Sequence, residues 1–99
     1  MQETKSDKFE FYFEADELRS LNDQEREHRF GMSISDAILL WRKNNEVKGN
    51  TYMSFTSDLV PDFVDGTEFY VLVVNIVYQP RFVSVKEELN AARSKVSDV

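Results

Sequence analysis

The most distinctive pattern in the chain is an apolar run at Phe69–Tyr78, which is rich in β-branched and aromatic side chains. Asp65-Gly66 precedes the run and Pro80 follows it, and such residues are typical of the ends of a strand. A run of this length without apolar–polar alternation predicts a strand that is buried on both faces. We therefore expect it to be the central strand of a sheet.

Two further segments alternate between apolar and polar residues, which predicts strands with one buried face. In Lys8–Glu14, the side chains of Phe9, Phe11 and Phe13 fall on one face and mainly charged side chains fall on the other. Thr51–Thr56 alternates in the same way but less strongly. We expect the first segment to lie at an edge of the sheet, because its outer face is charged.

The segment Asp58–Gly66 is the most acidic part of the chain and predicts a loop that ends in a hairpin turn at Asp65-Gly66. A strand directly before this turn would contain Pro61, so it could only be short or lie at a sheet edge. Pairing of Thr51–Thr56 with the central strand is therefore the preferred interpretation.

A first helix is predicted over Ala15–Phe30, although its apolar stripe is weak. Ser20 and Asp23 have the spacing of a capping box, and Gly31 has the character of a helix stop. The segment is otherwise polar, so we expect most of it to be solvated.

The clearest helix is predicted over Ser33–Asn45, with Ser33 as its N-cap and Trp41 on the face that packs against the sheet. A C-terminal helix is predicted after Ser84. Its narrow apolar stripe consists of Val85, Leu89, Ala92 and Val96.

Together these elements predict an α+β domain with the order β-α-α-β-β-α. We expect a small, mainly antiparallel sheet of three to four strands with two to three helices packed on it. Residues 1–7 lack periodicity and predict a disordered N-terminal tail, which leaves residues 8–97 as a single domain. A chain of 99 residues has room for one core.

The net charge is −6, and residues 51–80 carry four acidic side chains and no lysine or arginine. Phosphate backbones repel such a chain, so we expect no direct binding of nucleic acid. The longest apolar run is too short for a membrane helix, and the polar segment Met1–Lys8 does not predict a secretory signal. With no cysteine in the chain, these features predict a cytoplasmic protein that does not bind membranes.

No combination of residues predicts catalysis. The single histidine, His28, lies in a charged segment without a neighbouring nucleophile. Glu25-x-x-His28 has the spacing of a di-iron motif, but such a site needs a second copy and two more glutamates. Asp58, Asp62, Asp65 and Glu68 do not have the spacing of an EF-hand. We therefore predict no enzyme activity, no bound metal and no cofactor.

The sequence favours a non-catalytic protein-interaction module that binds a protein partner or itself. Acidic groups and exposed tyrosines are the candidate contacts. One alternative is an acidic inhibitor that mimics nucleic acid, of the phage or mobile-element type, and another is a small enzyme or ligand-binding domain that uses carboxylates. Self-association through an edge strand or the C-terminal stripe is a further possibility. The candidate partner-binding residues are Asp58, Asp62, Asp65, Glu68, Glu14, Asp16, Glu17, Tyr12 and Tyr52.

Overall fold

The computed structural model of the chain describes residues 3–81. The predicted α+β class is confirmed, because an antiparallel three-stranded sheet packs against one long helix. The predicted C-terminal helix after Ser84 lies outside the described residues. The observed elements are β1 (Lys5–Glu14), α1 (Ala15–Ser20), α2 (Asp23–Asn45), a short 3₁₀ helix (Glu46–Lys48), β2 (Thr51–Val64) and β3 (Thr67–Gln79).

The apolar run forms β3, which lies between β1 and β2 as the central strand and pairs antiparallel with both. Phe11 of β1 and Leu59 of β2 both lie opposite Leu72, so their side chains share one face of the sheet. Because side chains alternate along each strand, this register assigns every strand residue to one of two faces.

The prediction of a loop at Asp58–Gly66 was wrong, because β2 continues from Thr51 to Val64 and only Asp65-Gly66 forms the turn. Asp58 and Asp62 are compatible with a strand because their even spacing puts both on the sheet face that points away from the helix. Pro61 is tolerated because β2 is an edge strand, where a missing backbone N–H leaves no gap in the ladder.

The boundary predicted between the first two helices was also wrong. Helix α2 begins at Asp23 and runs through Gly31 and Ser33 without interruption. Its cap is Asn22, whose side-chain oxygen accepts a 2.8 Å hydrogen bond from the Glu25 N–H. The Glu25 carboxylate in turn accepts a 3.2 Å bond from the Asn22 N–H, which completes the capping box.

The helical conformation is interrupted between α1 and α2 at Leu21, whose backbone is extended. The predicted capping role of Ser20 is not observed, since its hydroxyl donates to the Glu17 carbonyl oxygen at 2.6 Å. Arg29 of α2 pairs with Glu17 of α1 across the break. The polar segment therefore forms two helical pieces rather than one.

The core lies between α2 and the sheet. Ala37 and Trp41 of α2 pack against alternate residues of β3, and each of these side chains is almost fully buried. The Trp41 indole N–H donates a 2.8 Å hydrogen bond to the Asp7 carboxylate. Asp7 belongs to β1, which begins at Lys5 and so starts earlier than the predicted strand. The residues of β3 in this cluster are Leu72, Val74 and Ile76, and the phenylalanines of β1 pack around them.

Candidate interaction surface

The sheet face opposite α2 is the candidate functional surface, and we call it the open face. We expected the central strand to be covered on both sides, but no helix among residues 3–81 packs on this one. Val71 is nevertheless only 5% exposed, and its neighbours on the two outer strands are Tyr12 and Val60. The open face consists of Glu10, Tyr12 and Glu14 of β1, Asp58, Val60 and Asp62 of β2, and Phe69, Val71 and Val73 of β3.

The strand register arranges these side chains in rows across the sheet. Glu14 and Asp62 both lie opposite Phe69 and so flank it in the first row. In the same way, Tyr12 and Val60 flank Val71 in the second row. The rows therefore begin with a carboxylate pair around an apolar centre and continue as an entirely aromatic and aliphatic row.

A second carboxylate pair closes the pattern, because Glu10 and Asp58 flank Val73 in the third row. Two strand spacings separate the members of each pair by about 10 Å, and four residues along a strand separate the pairs by about 13 Å. The open face therefore presents four carboxylates at the corners of a rectangle with an apolar centre.

Tyr12 connects the apolar centre with the acidic corners. Its ring meets Phe69 edge to face at 6.0 Å, and its hydroxyl donates to Glu10 at 3.4 Å. The pKa of Tyr12 is raised, chiefly by the negative charge of Glu10, then by burial and by the charge of Asp62. Tyr12, Glu10 and Asp62 therefore interact electrostatically on the open face.

Little positive charge balances the open face. Lys8 lies one row beyond Glu10 and pairs with it at 3.1 Å. Among residues 3–81, no lysine, arginine or histidine forms an ion pair with Glu14, Asp58 or Asp62. Within the described part of the chain, three of the four corner carboxylates are thus without an ion-pair partner.

The structure brings four of the predicted contact residues together on the open face, namely Tyr12, Glu14, Asp58 and Asp62. Tyr52 is elsewhere, because it packs against Trp41 on the helix side with Arg42 over its ring. Glu68 also faces the helix side, where it pairs with Arg19 at 2.9 Å. The pKa of Arg19 is raised, first by its hydrogen bond to Glu68.

The other three predicted contacts lie outside the sheet faces. Asp65 occupies the hairpin turn with a φ of 51°. Asp16 and Glu17 lie on α1, where each pairs with an arginine. Sequence reasoning missed Glu10 and the apolar centre of the open face. The alternation in Lys8–Glu14 places Glu10 beside Tyr12 and Glu14, but which β3 residues lie beside it depends on the register.

A cavity of about 480 Å³ lies between the helices and the helix side of the sheet. Arg19, Arg26 and Glu27 line it beside Tyr70, and residues 3–81 contribute no serine, threonine, cysteine or histidine to its lining. Arg26 pairs with Asp23 at 2.7 Å, so the charges in this cavity are largely matched internally.

The other candidate sites for metal or acid–base chemistry have structural explanations. Glu25 of the Glu25-x-x-His28 motif caps α2, and His28 lies exposed one turn later. Within residues 3–81, no three histidine, aspartate or glutamate side chains are grouped as metal ligands would be. None of the helices in this part of the chain has the length and apolar composition of a membrane span.

Comparison with known proteins gives no relative. The chain matches no protein-family model, and no curated protein or solved structure is significantly similar to it. Arguments about its function therefore depend on its own residues and their arrangement.

Proposed function

We propose that this protein is a non-catalytic protein-interaction module and that the open face is its interaction surface. The observation that carries the proposal is the arrangement of four carboxylates around Tyr12, Phe69 and Val71. Protein interfaces commonly combine an apolar, aromatic centre with a polar rim. The partner is a protein that presents lysine or arginine side chains around an apolar group.

The charge of the open face determines what kind of binding to expect. Three corner carboxylates lack an ion-pair partner within residues 3–81, so a basic partner would gain contacts without first breaking internal ones. Exposed charge pairs of this kind steer association and are screened by salt. Binding should therefore weaken as the ionic strength rises.

The size of the open face indicates a modest affinity. Three strands and the rows from Phe69 to Val73 cover about 15 Å by 13 Å, or roughly 200 Å². A stable complex usually buries about 800 Å² on each partner. The partner either binds transiently or also contacts a neighbouring part of the molecule.

A second candidate function is inhibition of a nucleic-acid-binding protein through the same carboxylates. The carboxylates are regularly spaced on one surface, as in a mimic of a phosphate backbone. In this case the captured partner would itself bind nucleic acid, and added DNA or RNA would displace it from the module. We assign either activity to the cytoplasm, because a chain without cysteine suits a reducing compartment.

The test is affinity capture from a lysate of the source organism at low and high salt, with bound proteins identified by mass spectrometry. The open-face variant Glu14→Gln/Asp58→Asn/Asp62→Asn removes three charges from the interaction surface. A matched control removes three charges from α2 and the adjoining 3₁₀ helix through Glu27→Gln, Asp36→Asn and Glu46→Gln.

The wild type and the control variant should recover the same protein at low salt, and the open-face variant should not. High salt should release the partner from the wild type. Equal recovery by both triple variants would show that the open face does not bind the partner, and the proposal would be wrong.

A further inference from the structure

We propose that the interaction includes strand addition, in which an extended segment of the partner pairs with the outer edge of β2 at Phe55–Leu59. This inference rests on the proposed interaction function and deepens it by naming the binding mode and the chemistry of the partner segment. The segment carries apolar side chains at alternate positions and a basic side chain opposite Asp58.

The hairpin turn determines which backbone groups of β2 are free. Asp65 and Gly66 have φ values of 51° and 80°, which is the signature of a two-residue type I′ turn. In such a turn the flanking residues, Val64 and Thr67, form a hydrogen-bonded pair. Pairs then alternate along an antiparallel ladder, so the even-numbered residues of β2 bond to β3 and the odd-numbered ones point outward.

An independent contact supports this assignment. The backbone N–H of Phe63 donates a 2.8 Å hydrogen bond to the side chain of Asp62 instead of joining the ladder. Pro61, which has no N–H, also falls at an outward-pointing position. Such positions are where strands tolerate proline.

These features confine strand addition to one window of the edge. Beyond Leu59, Pro61 lacks a donor and the Phe63 donor is already used by Asp62. At the other end, the register shift between Tyr52 and Ser54 disrupts the strand. Between them, Phe55, Ser57 and Leu59 each present an outward N–H and C=O, and within residues 3–81 only β3 pairs with β2.

The side chains in the window define the incoming segment. Phe55 and Leu59 are 41% and 44% exposed and lie on the helix side of the sheet, so an added strand can cover them with apolar residues. Asp58 points to the open face between them, where it favours a basic residue on the added strand. Alternate side chains provide specificity in this mode of recognition, and main-chain bonds provide affinity.

The test is residue-resolved amide hydrogen exchange on the full chain, with and without a short peptide that alternates Val and Lys. In the free protein, the amides of Thr56, Asp58 and Val60 should exchange slowly, and those of Ser57 and Leu59 should exchange fast. Saturating Val/Lys peptide should slow Ser57 and Leu59 by at least about tenfold. A peptide that alternates Val and Glu should not.

Variants of Ser57 test the edge, and a variant of Asp58 tests the charge preference. Ser57→Pro removes an outward N–H without disturbing the ladder to β3 and should weaken peptide binding at least about tenfold. Ser57→Ala is its control and should bind normally. Asp58→Lys should reverse the preference, so that the variant favours the Val/Glu peptide.

Several results would overturn strand addition. One is the absence of protection by either peptide, and another is binding that perturbs Tyr12 and Val71 but leaves the Ser57 and Leu59 amides unprotected. Protection of these amides in the peptide-free monomer would mean that the chain covers its own edge. Protection that depends on protein concentration would mean that a second copy occupies it.

Failure of strand addition can be separated from failure of the proposed function. If Ser57→Pro captures the cellular partner as well as the wild type does, and the open-face triple variant does not, then the interaction function stands without strand addition. If Ser57→Pro and the open-face triple variant both capture the partner as well as the wild type does, both proposals are wrong.

Discussion

The contact between Trp41 and Asp7 tests whether α2 is attached to the helix side of the sheet as described. Trp41 is 1% exposed, and its ring packs against Tyr78 with a centroid distance of 5.2 Å. Its indole N–H donates to Asp7 at the start of β1. The substitution Trp41→Phe removes this donor and part of the buried ring.

The expected loss of stability has two parts. A hydrogen bond to a charged acceptor contributes about 1.5–3 kcal/mol, and the half-buried position of Asp7 lowers this to about 1 kcal/mol. The smaller phenylalanine ring leaves a cavity and loses contacts, which costs about another 1–2 kcal/mol. Trp41→Phe should therefore lower the free energy of unfolding by about 2–3 kcal/mol, or the Tm by roughly 10–20 °C.

A double-mutant cycle isolates the hydrogen bond. Urea unfolding followed by circular dichroism should give about 1 kcal/mol of coupling between Trp41→Phe and Asp7→Ala. The exposed acid Asp16 is a control, and Asp16→Ala should show no coupling to Trp41→Phe. If Asp7→Ala costs as much in the Trp41→Phe background as in the wild type, the indole–carboxylate bond does not contribute and the described attachment of α2 is wrong.

Three further predictions concern the open face and the backbone. Asp62→Asn should lower the pKa of Tyr12, measured by ultraviolet titration of the phenol, and Asp16→Asn should leave it unchanged, because of these two acids only Asp62 acts on that phenol. Because folding raises the Tyr12 pKa, the stability associated with this shift is present below the ordinary pKa of tyrosine and is lost as the pH rises through the pKa of the folded state. The free energy of unfolding should therefore fall over this alkaline range. Gly31→Ala should stabilise the protein by about 1 kcal/mol, since Gly31 lies inside α2 and a Cβ would meet nothing within 4 Å. Gly66→Ala should destabilise the protein by about 1–2 kcal/mol, because the φ of Gly66 is +80°. Thermal unfolding should show a higher Tm for Gly31→Ala and a lower Tm for Gly66→Ala.

The sequence was most informative where one physical effect dominates. The β-branched, apolar composition of Phe69–Tyr78 correctly predicts the central strand. The 3.6-residue stripe around Trp41 correctly predicts a helix that packs on the sheet. The strand from Lys8 to Glu14 was also correct, although β1 starts at Lys5 and uses Asp7 to bond with Trp41.

Predictions were wrong where local signals competed with tertiary packing. Gly31 suggested a helix stop, but an interior glycine costs only about 1 kcal/mol. Sheet packing by Phe30 and Ile34 on either side of it offsets that cost. The acidic composition of Asp58–Gly66 suggested a loop, although the even spacing of Asp58 and Asp62 is compatible with one face of an edge strand.

The interaction surface could be predicted only in part. Alternation along each strand shows which residues share a face, so Tyr12 and Glu14 could be grouped from the sequence. Whether Asp58 and Asp62 lie beside them depends on the strand order β1-β3-β2 and on the register, which alternation does not specify. Alternation also does not show that Tyr52 lies on the helix side, where its ring packs against Trp41.

The most direct test of the central claim is the ratio of partner captured by the two triple variants at low salt. The open-face variant Glu14→Gln/Asp58→Asn/Asp62→Asn loses the same charge as the helical control Glu27→Gln/Asp36→Asn/Glu46→Gln. A general electrostatic effect would therefore reduce capture equally. We expect the control to retain the partner and the open-face variant to retain less than about one tenth as much. A ratio near one would contradict the assignment of binding to the open face.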